Sequence, residues 1–94
     1  MVSPLPELIF YTRDGCHLCD DARAIVQGLL EDRAARGQPT AAIRERDITA
    51  NPDWERRFFA TIPVLEMAGR RLDLATSAAK VRRFLDDVLD RSLV

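Results

Sequence analysis

The chain has two cysteines, and both stand in one short stretch, Tyr11-Thr12-Arg13-Asp14-Gly15-Cys16-His17-Leu18-Cys19. A disulfide across two intervening residues removes little entropy from the unfolded chain, so stability is a poor reason to keep this pair. In an intracellular chain, a Cys-x-x-Cys pair is more often catalytic or metal-binding. A tetrahedral zinc site needs four ligands, and the chain offers two thiols and His17 with no second pair. The stretch therefore predicts redox chemistry and no metal, while zinc binding and an inert thiol pair remain as alternatives.

The residues on either side of this stretch predict a strand followed by a long helix. Residues 7–11 form a short apolar and aromatic run, which is typical of a buried strand. From residue 18 to 36, apolar side chains recur every three or four positions, as in an amphipathic helix, and Gly37 and Pro39 end the pattern. The cysteines are therefore expected at the first turn of a helix, where unpaired backbone N–H groups favour a thiolate.

The rest of the chain predicts three more strands and two more helices. Residues 41–48 read as a polar strand at a sheet edge, where charged side chains discourage pairing with other chains. Asn51 and Pro52 are typical of the start of a short helix, here ending near Phe59. A hairpin of residues 63–67 and 70–74 follows, and Thr76 or Ser77 caps the last helix.

This order, β-α-β-α-β-β-α, predicts the fold class. The long first helix allows the first two strands to pair in parallel through a right-handed crossover. We expect an α/β fold with a four-stranded mixed sheet flanked by three helices, in a single domain spanning residues 1–94.

Charge and hydropathy argue against two classes of partner. Fourteen basic and fifteen acidic residues leave a net charge of −1, which creates no electropositive field for nucleic acid. The apolar runs are far shorter than the ~20 residues that cross a bilayer, and strand-like sequence begins too soon after Met1 for a secretory segment. We therefore expect a cytoplasmic protein with neither nucleic acid nor membrane as a partner.

The Cys-x-x-Cys stretch at a strand-to-helix junction, the segment Thr61-Ile62-Pro63-Val64 and the element order together resemble the thioredoxin-fold proteins. Among these, the chain is most similar to the short glutaredoxin-like proteins, over nearly its whole length. In that family the proline that matches Pro63 is cis and lies against the thiol pair. The resemblance therefore implies a thioredoxin-like (glutaredoxin-like) fold with a cis bond between Ile62 and Pro63.

The chain departs from glutaredoxins where they hold glutathione. It has His17-Leu18 in place of the usual Pro-Tyr, Asp73-Leu74 in place of a Gly-Gly pair, and Thr76-Ser77 in place of an acidic residue. Arg13 does match the basic residue that faces glutathione in the family. The pattern is closer to a glutaredoxin-like branch known as a domain of unknown function. We expect no resident cofactor and only poor binding of glutathione.

These residues predict a thiol-disulfide oxidoreductase that acts on protein or small-molecule disulfides. Cys16 is the expected nucleophile, and Cys19 is the expected resolving thiol that attacks the mixed disulfide. The expected partners are a disulfide-containing protein or a small thiol, together with a reducing system of the glutathione or thioredoxin type. The expected substrate-binding residues surround the cysteines: Arg13, His17, Leu18, Ile62, Pro63 and Thr76.

A second interpretation is a non-catalytic module that keeps the fold. Such a module would use a pocket beside Pro63 to bind a peptide, a thiol or a partner protein. The two intact cysteines favour the enzyme, whereas the missing glycine pair keeps the binding module open. The aromatic residues Trp54, Phe58 and Phe59 are expected to pack in the core or against a helix and not to form a binding platform.

Overall fold

The computed structural model describes residues 5–90. It contains four strands, β1 (Glu7–Thr12), β2 (Ala42–Asp47), β3 (Val64–Met67) and β4 (Arg70–Leu72). Its helices are α1 (His17–Ala35), α2 (Pro52–Phe58) and α3 (Ala78–Leu85), with a 3-10 turn at Ile48–Ala50 and a π-helical turn at Asp86–Asp90. The expected β-α-β-α-β-β-α order is confirmed.

The strands form one mixed sheet in the order β2-β1-β3-β4. The central strand β1 pairs in parallel with β2 and antiparallel with β3, and β3 forms an antiparallel hairpin with β4. The polar strand β2 lies at one edge, as its charged side chains predicted.

The helices cover both faces of this sheet because adjacent residues of β1 point to opposite sides. Phe10 faces α1, where the guanidinium of Arg23 lies 5.6 Å from its ring centroid. Tyr11 faces α2, and its ring centroid lies 4.2 Å from that of Phe58. The helix α3 packs beside α1. The core thus forms two layers around a central strand whose carboxyl end leads into the cysteines.

The second strand of the hairpin is shorter than expected, because it ends at Leu72 and not at residue 74. The backbone N–H of Leu74 donates to the carbonyl of Thr61 at 2.9 Å, and the next N–H, of Ala75, donates to the carbonyl of Pro63 at 2.8 Å. These hydrogen bonds connect residues 74 and 75 to the segment that precedes β3, beyond the paired residues of the two strands. The prediction of strand up to residue 74 was therefore wrong by two residues.

The longest helix, α1, has 19 residues and carries charged side chains along its length. No helix within residues 5–90 combines the length and the apolar character that crossing a bilayer would require.

Candidate active site

Cys16 occupies the N-cap position of α1. Its backbone is extended, with φ −97° and ψ 105°, and its Sγ accepts a hydrogen bond from the backbone N–H of Cys19 at 3.1 Å. A side-chain oxygen of Ser, Thr, Asp or Asn normally fills this role. Here a sulfur receives one of the N–H groups that the helix leaves unpaired, so the capping geometry points a hydrogen-bond donor at the atom that would carry negative charge.

Cys16 and Cys19 are joined by a disulfide, with their Cα atoms 5.2 Å apart. This separation lies within the ~4.4–6.8 Å range of ordinary disulfides. The two residues differ in exposure, because Cys19 is fully buried and Cys16 is only partly buried. A thiol that approaches from outside therefore meets Cys16 first.

The segment that carries Pro63 lies at the same end of the sheet. Tyr11, near the end of β1, pairs with Val64, the first residue of β3. The loop that follows β1 and the segment that precedes β3 consequently emerge side by side. The Ile62–Pro63 peptide bond is cis, as the resemblance implied, and both residues are buried.

A third segment, residues 74–76, is held against the Pro63 segment by the two hydrogen bonds that end β4. Leu74 has φ +49° and Thr76 is exposed. The Oγ of Ser77 accepts the backbone N–H of Lys80 at 3.1 Å and so caps α3; of the two caps expected, Ser77 fills the role. The fold thus brings the expected residues Ile62, Pro63 and Thr76 to the end of the sheet that carries the cysteines.

A polar cleft of about 310 Å³ lies beside the cysteine loop. The guanidinium of Arg23 bridges two of its carboxylates, at 2.9 Å from Asp20 and at 2.8 and 3.0 Å from Glu45, and these hydrogen bonds raise the pKa of Arg23. Carboxylates outnumber guanidinium groups four to two among the lining residues, which are Thr12, Arg13, Asp14, Gly15, Asp20, Arg23, Glu45 and Asp47.

Arg13 lies exposed on this cleft and interacts with Asp47. The pKa of Asp47 is below its usual range, mainly because the hydroxyl and backbone N–H of Thr49 donate to its carboxylate, and further because the Arg13 charge is near. A substrate carboxylate that approached Arg13 would therefore compete with a carboxylate of the protein.

His17 and Leu18 occupy the first turn of α1, and both side chains are exposed. They stand between the two cysteines in the sequence, and their exposure leaves both accessible to another molecule. The side chain of Leu18 is one of the exposed large apolar side chains of the described residues, with 51% of the residue surface accessible to solvent.

Two further exposed apolar residues are Phe59 and Leu74, of which Leu74 stands where the resemblance places a glycine of the glutathione site. Phe58 packs fully buried against Tyr11, and Trp54 is partly buried one helical turn away, but Phe59 is 65% exposed. The prediction that Phe59 packs in the core was wrong. Trp54 and Phe58 are four residues apart and share one face of α2, whereas Phe59 lies about 100° further round. The position of Phe59, one residue beyond the Trp54–Phe58 face, was the sequence feature that could have predicted its exposure.

No group of three or more His, Cys, Asp or Glu side chains suited to a metal ion occurs among the residues that the structure describes. The side chains closest to the two cysteines in sequence are those of Asp14, His17, Leu18 and Asp20, which comprise two carboxylates, an imidazole and a leucine. The disulfide at the start of α1 can take part in thiol-disulfide exchange, and the exposed side chains beside it can contact another molecule.

The chain matches the family model described as "Glutaredoxin-like domain (DUF836)" over residues 7–89. Among solved structures it is similar to the X-ray structure of the Northeast Structural Genomics target protein XcR50 from X. campestris, with 32% identity and a TM-score of 0.69, covering 85% of this chain and 96% of that one. The solution structure of the same target matches with 32% identity and a TM-score of 0.65, covering 85% of this chain and 92% of that one.

A more distant likeness concerns the fold alone. Thioredoxin 1 from the thermophilic eubacterium Thermosipho africanus TCF52B has 16% identity to the chain and a TM-score of 0.66, covering 94% of this chain and 99% of that one. No curated protein sequence matches significantly. The fold is therefore thioredoxin-like, and the chain belongs to the glutaredoxin-like domain family.

Proposed function

We propose that the protein is a thiol-disulfide oxidoreductase in which the Cys16–Cys19 pair alternates between dithiol and disulfide while it reduces a substrate disulfide. The observation that carries this proposal is the unequal exposure of the two sulfurs, with Cys16 partly exposed and Cys19 fully buried. Two-step thiol-disulfide exchange needs one sulfur that a substrate can reach and a second that is held behind it.

The reaction balances in two steps. The Cys16 thiolate attacks one sulfur of the substrate disulfide, forms a mixed disulfide and releases the other substrate sulfur as a thiolate. Cys19 then loses its proton to water and attacks Cys16 Sγ, which closes the protein disulfide and releases the second substrate thiol. The substrate gains two electrons and the protein loses two. A dithiol reductant, or two molecules of a monothiol such as glutathione, restores the protein by the reverse exchange and is itself oxidised to a disulfide.

The N-cap geometry supports Cys16 as the nucleophile. The Cys19 N–H that lies 3.1 Å from Cys16 Sγ would donate to a thiolate more strongly than to a neutral sulfur. The positive end of the α1 dipole adds to this effect. When protonated, the adjacent His17 would add a positive charge beside Cys16.

The substrate and electron donor that fit this site follow from the same chemistry. A disulfide-containing protein or a small-molecule disulfide is the proposed substrate, and a reducing system of the glutathione or thioredoxin type is the proposed donor. We place the activity in the cytoplasm, because a reversible dithiol suits a compartment in which thiols are kept reduced.

Thiol counting combined with a turnover assay tests the proposal. The reduced protein should show two free thiols when they are counted in denaturant, and mild oxidation should remove both without producing a disulfide-linked dimer. With dithiothreitol as electron donor, the protein should accelerate the reduction of insulin disulfides above the uncatalysed rate. The reduction potential of the pair, measured in dithiothreitol redox buffers, would then identify the donors that can reduce it.

Two results would contradict the proposal. If both thiols remained free after oxidation, or a tightly bound zinc ion protected them, the pair would serve a metal and not exchange. If the disulfide formed but insulin reduction stayed at the uncatalysed rate with every donor tested, the non-catalytic binding module would be the better interpretation.

A further inference from the structure

The polar cleft beside the cysteine loop is formed by side chains of β1, β2 and α1 that face one another. Thr12 and Asp47 are partners in the parallel register of β1 and β2, as are Phe10 and Glu45 two positions earlier. Partners in a parallel pair point to the same face of the sheet, and Phe10 faces α1. The side chains of Thr12, Glu45 and Asp47 therefore also face α1, where they line the cleft.

The cleft lies directly beside the sulfur that a substrate meets first. The loop residues Asp14 and Gly15 line it, and Gly15 is followed by Cys16. On its α1 side lie Asp20 and Arg23, one helical turn apart and joined by an ion pair. A group that a substrate carries next to its disulfide can therefore enter the cleft while the disulfide contacts Cys16.

The polar cleft has a net negative charge. Four carboxylates against two guanidinium groups leave it with a formal charge of −2. Arg23 neutralises part of the negative charge through its two ion pairs. Within residues 5–90, the carboxylate of Asp14 has no ion pair, and Asp47 uses only Oδ1 for its bonds to Thr49. Asp14 and Asp47 can therefore each accept hydrogen bonds from an additional cation.

Among the described residues, one buried polar atom at the cleft lacks a hydrogen-bond partner. This atom is Oγ1 of Thr12, a residue that is only 7% exposed. Buried hydroxyl groups are nearly always hydrogen-bonded, because an unpaired one has lost its bonds to water without replacement. An N–H donor that entered the cleft would supply the missing partner. The Thr12 hydroxyl is independent of the carboxylates and points to a ligand that carries hydrogen-bond donors.

We propose that the polar cleft binds a cationic side chain, Lys or Arg, that stands beside the disulfide of a polypeptide substrate. This inference rests on the oxidoreductase function proposed above and specifies its substrate class, a polypeptide disulfide with basic neighbours. An ammonium or guanidinium group brings both the positive charge that Asp14 and Asp47 favour and the N–H donors that Thr12 lacks. A metal ion fits less well, because the described residues contain no group of three or more metal-ligating side chains.

Arg13 provides a precedent for a cation at this position. Its charge is one of the causes that hold the pKa of Asp47 below the usual range. Arg13 is exposed, so an incoming cation can displace it at little cost in free energy. Arg13 therefore competes with the substrate cation for Asp47, and removing its charge should strengthen the preference for basic substrates.

A single-turnover experiment measures this preference. Three peptide disulfides are prepared in which both residues beside the cysteine are Lys, Gln or Glu. Each is mixed in excess with the prereduced full-length protein, and the rate constant of the first exchange is measured by mass spectrometry of acid-quenched samples. It is divided by the rate constant of the same peptide with dithiothreitol, which corrects for the effect of the flanking charge on the disulfide itself.

The wild-type protein should prefer the basic peptide. At low salt, the normalised rate constant of the Lys peptide should exceed that of the Glu peptide about tenfold, with the Gln peptide between them. The difference should shrink in about 1 M salt, where the Debye length falls to ~3 Å. A preference that did not depend on salt would contradict an electrostatic contact in the cleft.

Variants that remove one charge locate the preference in the cleft. Asp14→Asn and Asp47→Asn should each lower the ratio of Lys to Gln rate constants about two- to fivefold, the effect of one exposed charge pair. Arg13→Gln should raise this ratio, because it removes the competing cation. Asp32→Asn is the matched control, since it removes an exposed carboxylate from α1 outside the cleft, and it should leave the ratio unchanged.

Variants of Thr12 test the buried hydroxyl separately from the charges. Thr12→Val keeps the shape of the side chain and removes Oγ1, so it should lower the ratio about two- to fivefold. Thr12→Ser keeps the hydroxyl group and should retain the ratio. If Thr12→Val retained the full ratio, the contact assigned to the hydroxyl would be wrong.

The remaining outcomes distinguish this inference from the proposed function. If the wild-type protein reacts with all three peptides at equal normalised rates, the inference is wrong and the oxidoreductase proposal stands. If Asp32→Asn lowers the ratio as much as Asp47→Asn does, the effect is one of overall charge and the inference is also wrong. If the wild-type protein reacts with none of the peptides, the proposed function fails and the inference fails with it. Circular dichroism checks the fold of each variant, and Asp14→Asn provides the test at a fully exposed position.

Discussion

The guanidinium of Arg33 forms two parallel hydrogen bonds with the carboxylate of Asp90, at 2.9 and 3.0 Å. Arg33 also donates to Asp86 at 2.5 Å and to the carbonyl of Pro39 at 3.0 Å, and only 6% of its surface is exposed. These contacts join the end of α1 to the turn that follows α3.

Replacing Arg33 by alanine should therefore destabilise the protein by about 1–3 kcal/mol, as expected for the loss of a buried hydrogen-bonded network. The loss should stay below that of a fully buried ion pair, because the side chains of Asp86 and Asp90 remain 54% and 44% exposed. Urea unfolding measures the difference. Arg36→Ala is the control; its exposed pair with Asp32 should contribute no more than about 0.5 kcal/mol. Equal effects of the two variants would contradict the assigned role of Arg33.

Asp90 should make stability depend on pH in the acid range. Its pKa lies below the usual range, first because Arg33 donates hydrogen bonds to the carboxylate and further because of the Arg33 charge. Because the pKa of Asp90 is lower in the folded protein than in the unfolded chain, the ionised carboxylate stabilises the fold. This stabilisation is fully present above the ordinary aspartate pKa of ~3.9, and it is lost as pH falls through the folded-state pKa. The stability gap between the wild type and Asp90→Asn should thus be constant above about pH 5 and shrink below about pH 4. Urea unfolding over this pH series checks it, and a gap independent of pH would argue against the ion pair.

The two cysteines should behave differently when they are replaced by serine. Cys16→Ser should lose all attack on a model disulfide, because its remaining thiol is fully buried. Cys19→Ser should still attack and then accumulate as a mixed disulfide, since no second thiol resolves it. Mass spectrometry detects the adduct and its position. An adduct on Cys19 in the Cys16→Ser protein, formed at a comparable rate, would reverse the assignment.

Glutathione should bind poorly to the Cys19→Ser protein. Thr76 and Ser77 offer hydroxyl groups where a charged partner would contribute about 1.5–3 kcal/mol, a deficit of roughly 10- to 100-fold in affinity. Arg13 compensates little, because it is exposed and already faces Asp47. Amide shifts followed during a glutathione titration should not saturate below millimolar concentration. Saturation below that concentration, localised at Arg13, Pro63 and Thr76 and accompanied by efficient deglutathionylation, would identify a glutathione-dependent glutaredoxin.

Thr12→Val should leave stability unchanged or raise it by up to about 1 kcal/mol. The hydroxyl of Thr12 is buried and has no hydrogen-bond partner within residues 5–90, so replacing it with a methyl group removes an uncompensated polar atom. Thr40→Val is the matched control, since its hydroxyl donates to the carbonyl of Leu30 at 3.0 Å, and it should be destabilising by about 1 kcal/mol. Thermal unfolding compares the two. A destabilised Thr12→Val would show that the hydroxyl has a partner in solution.

Local patterns in the sequence were sufficient for the elements that follow short-range rules. The apolar period of α1, the Asn51 cap of α2 and the Cys-x-x-Cys spacing depend on neighbours within one or two helical turns, and the structure contains all three. The cis bond at Pro63 came from the family resemblance and not from local rules, because an isolated X-Pro bond favours trans.

Tertiary structure alone decided the features that depend on contacts between distant segments. Arg33 and Asp90 are 57 positions apart, so nothing near Arg33 in the sequence indicates that its guanidinium is buried. The strand β4 ends early, at Leu72, and the N–H groups of Leu74 and Ala75 are bonded to the carbonyls of Thr61 and Pro63. Phe59 is exposed because α2 turns Trp54 and Phe58 towards Tyr11, and only one face of a short helix can meet the sheet. A sequence therefore determines which residues can form a helix, strand or cap, whereas the docking of those elements determines which side chains remain at the surface around Cys16.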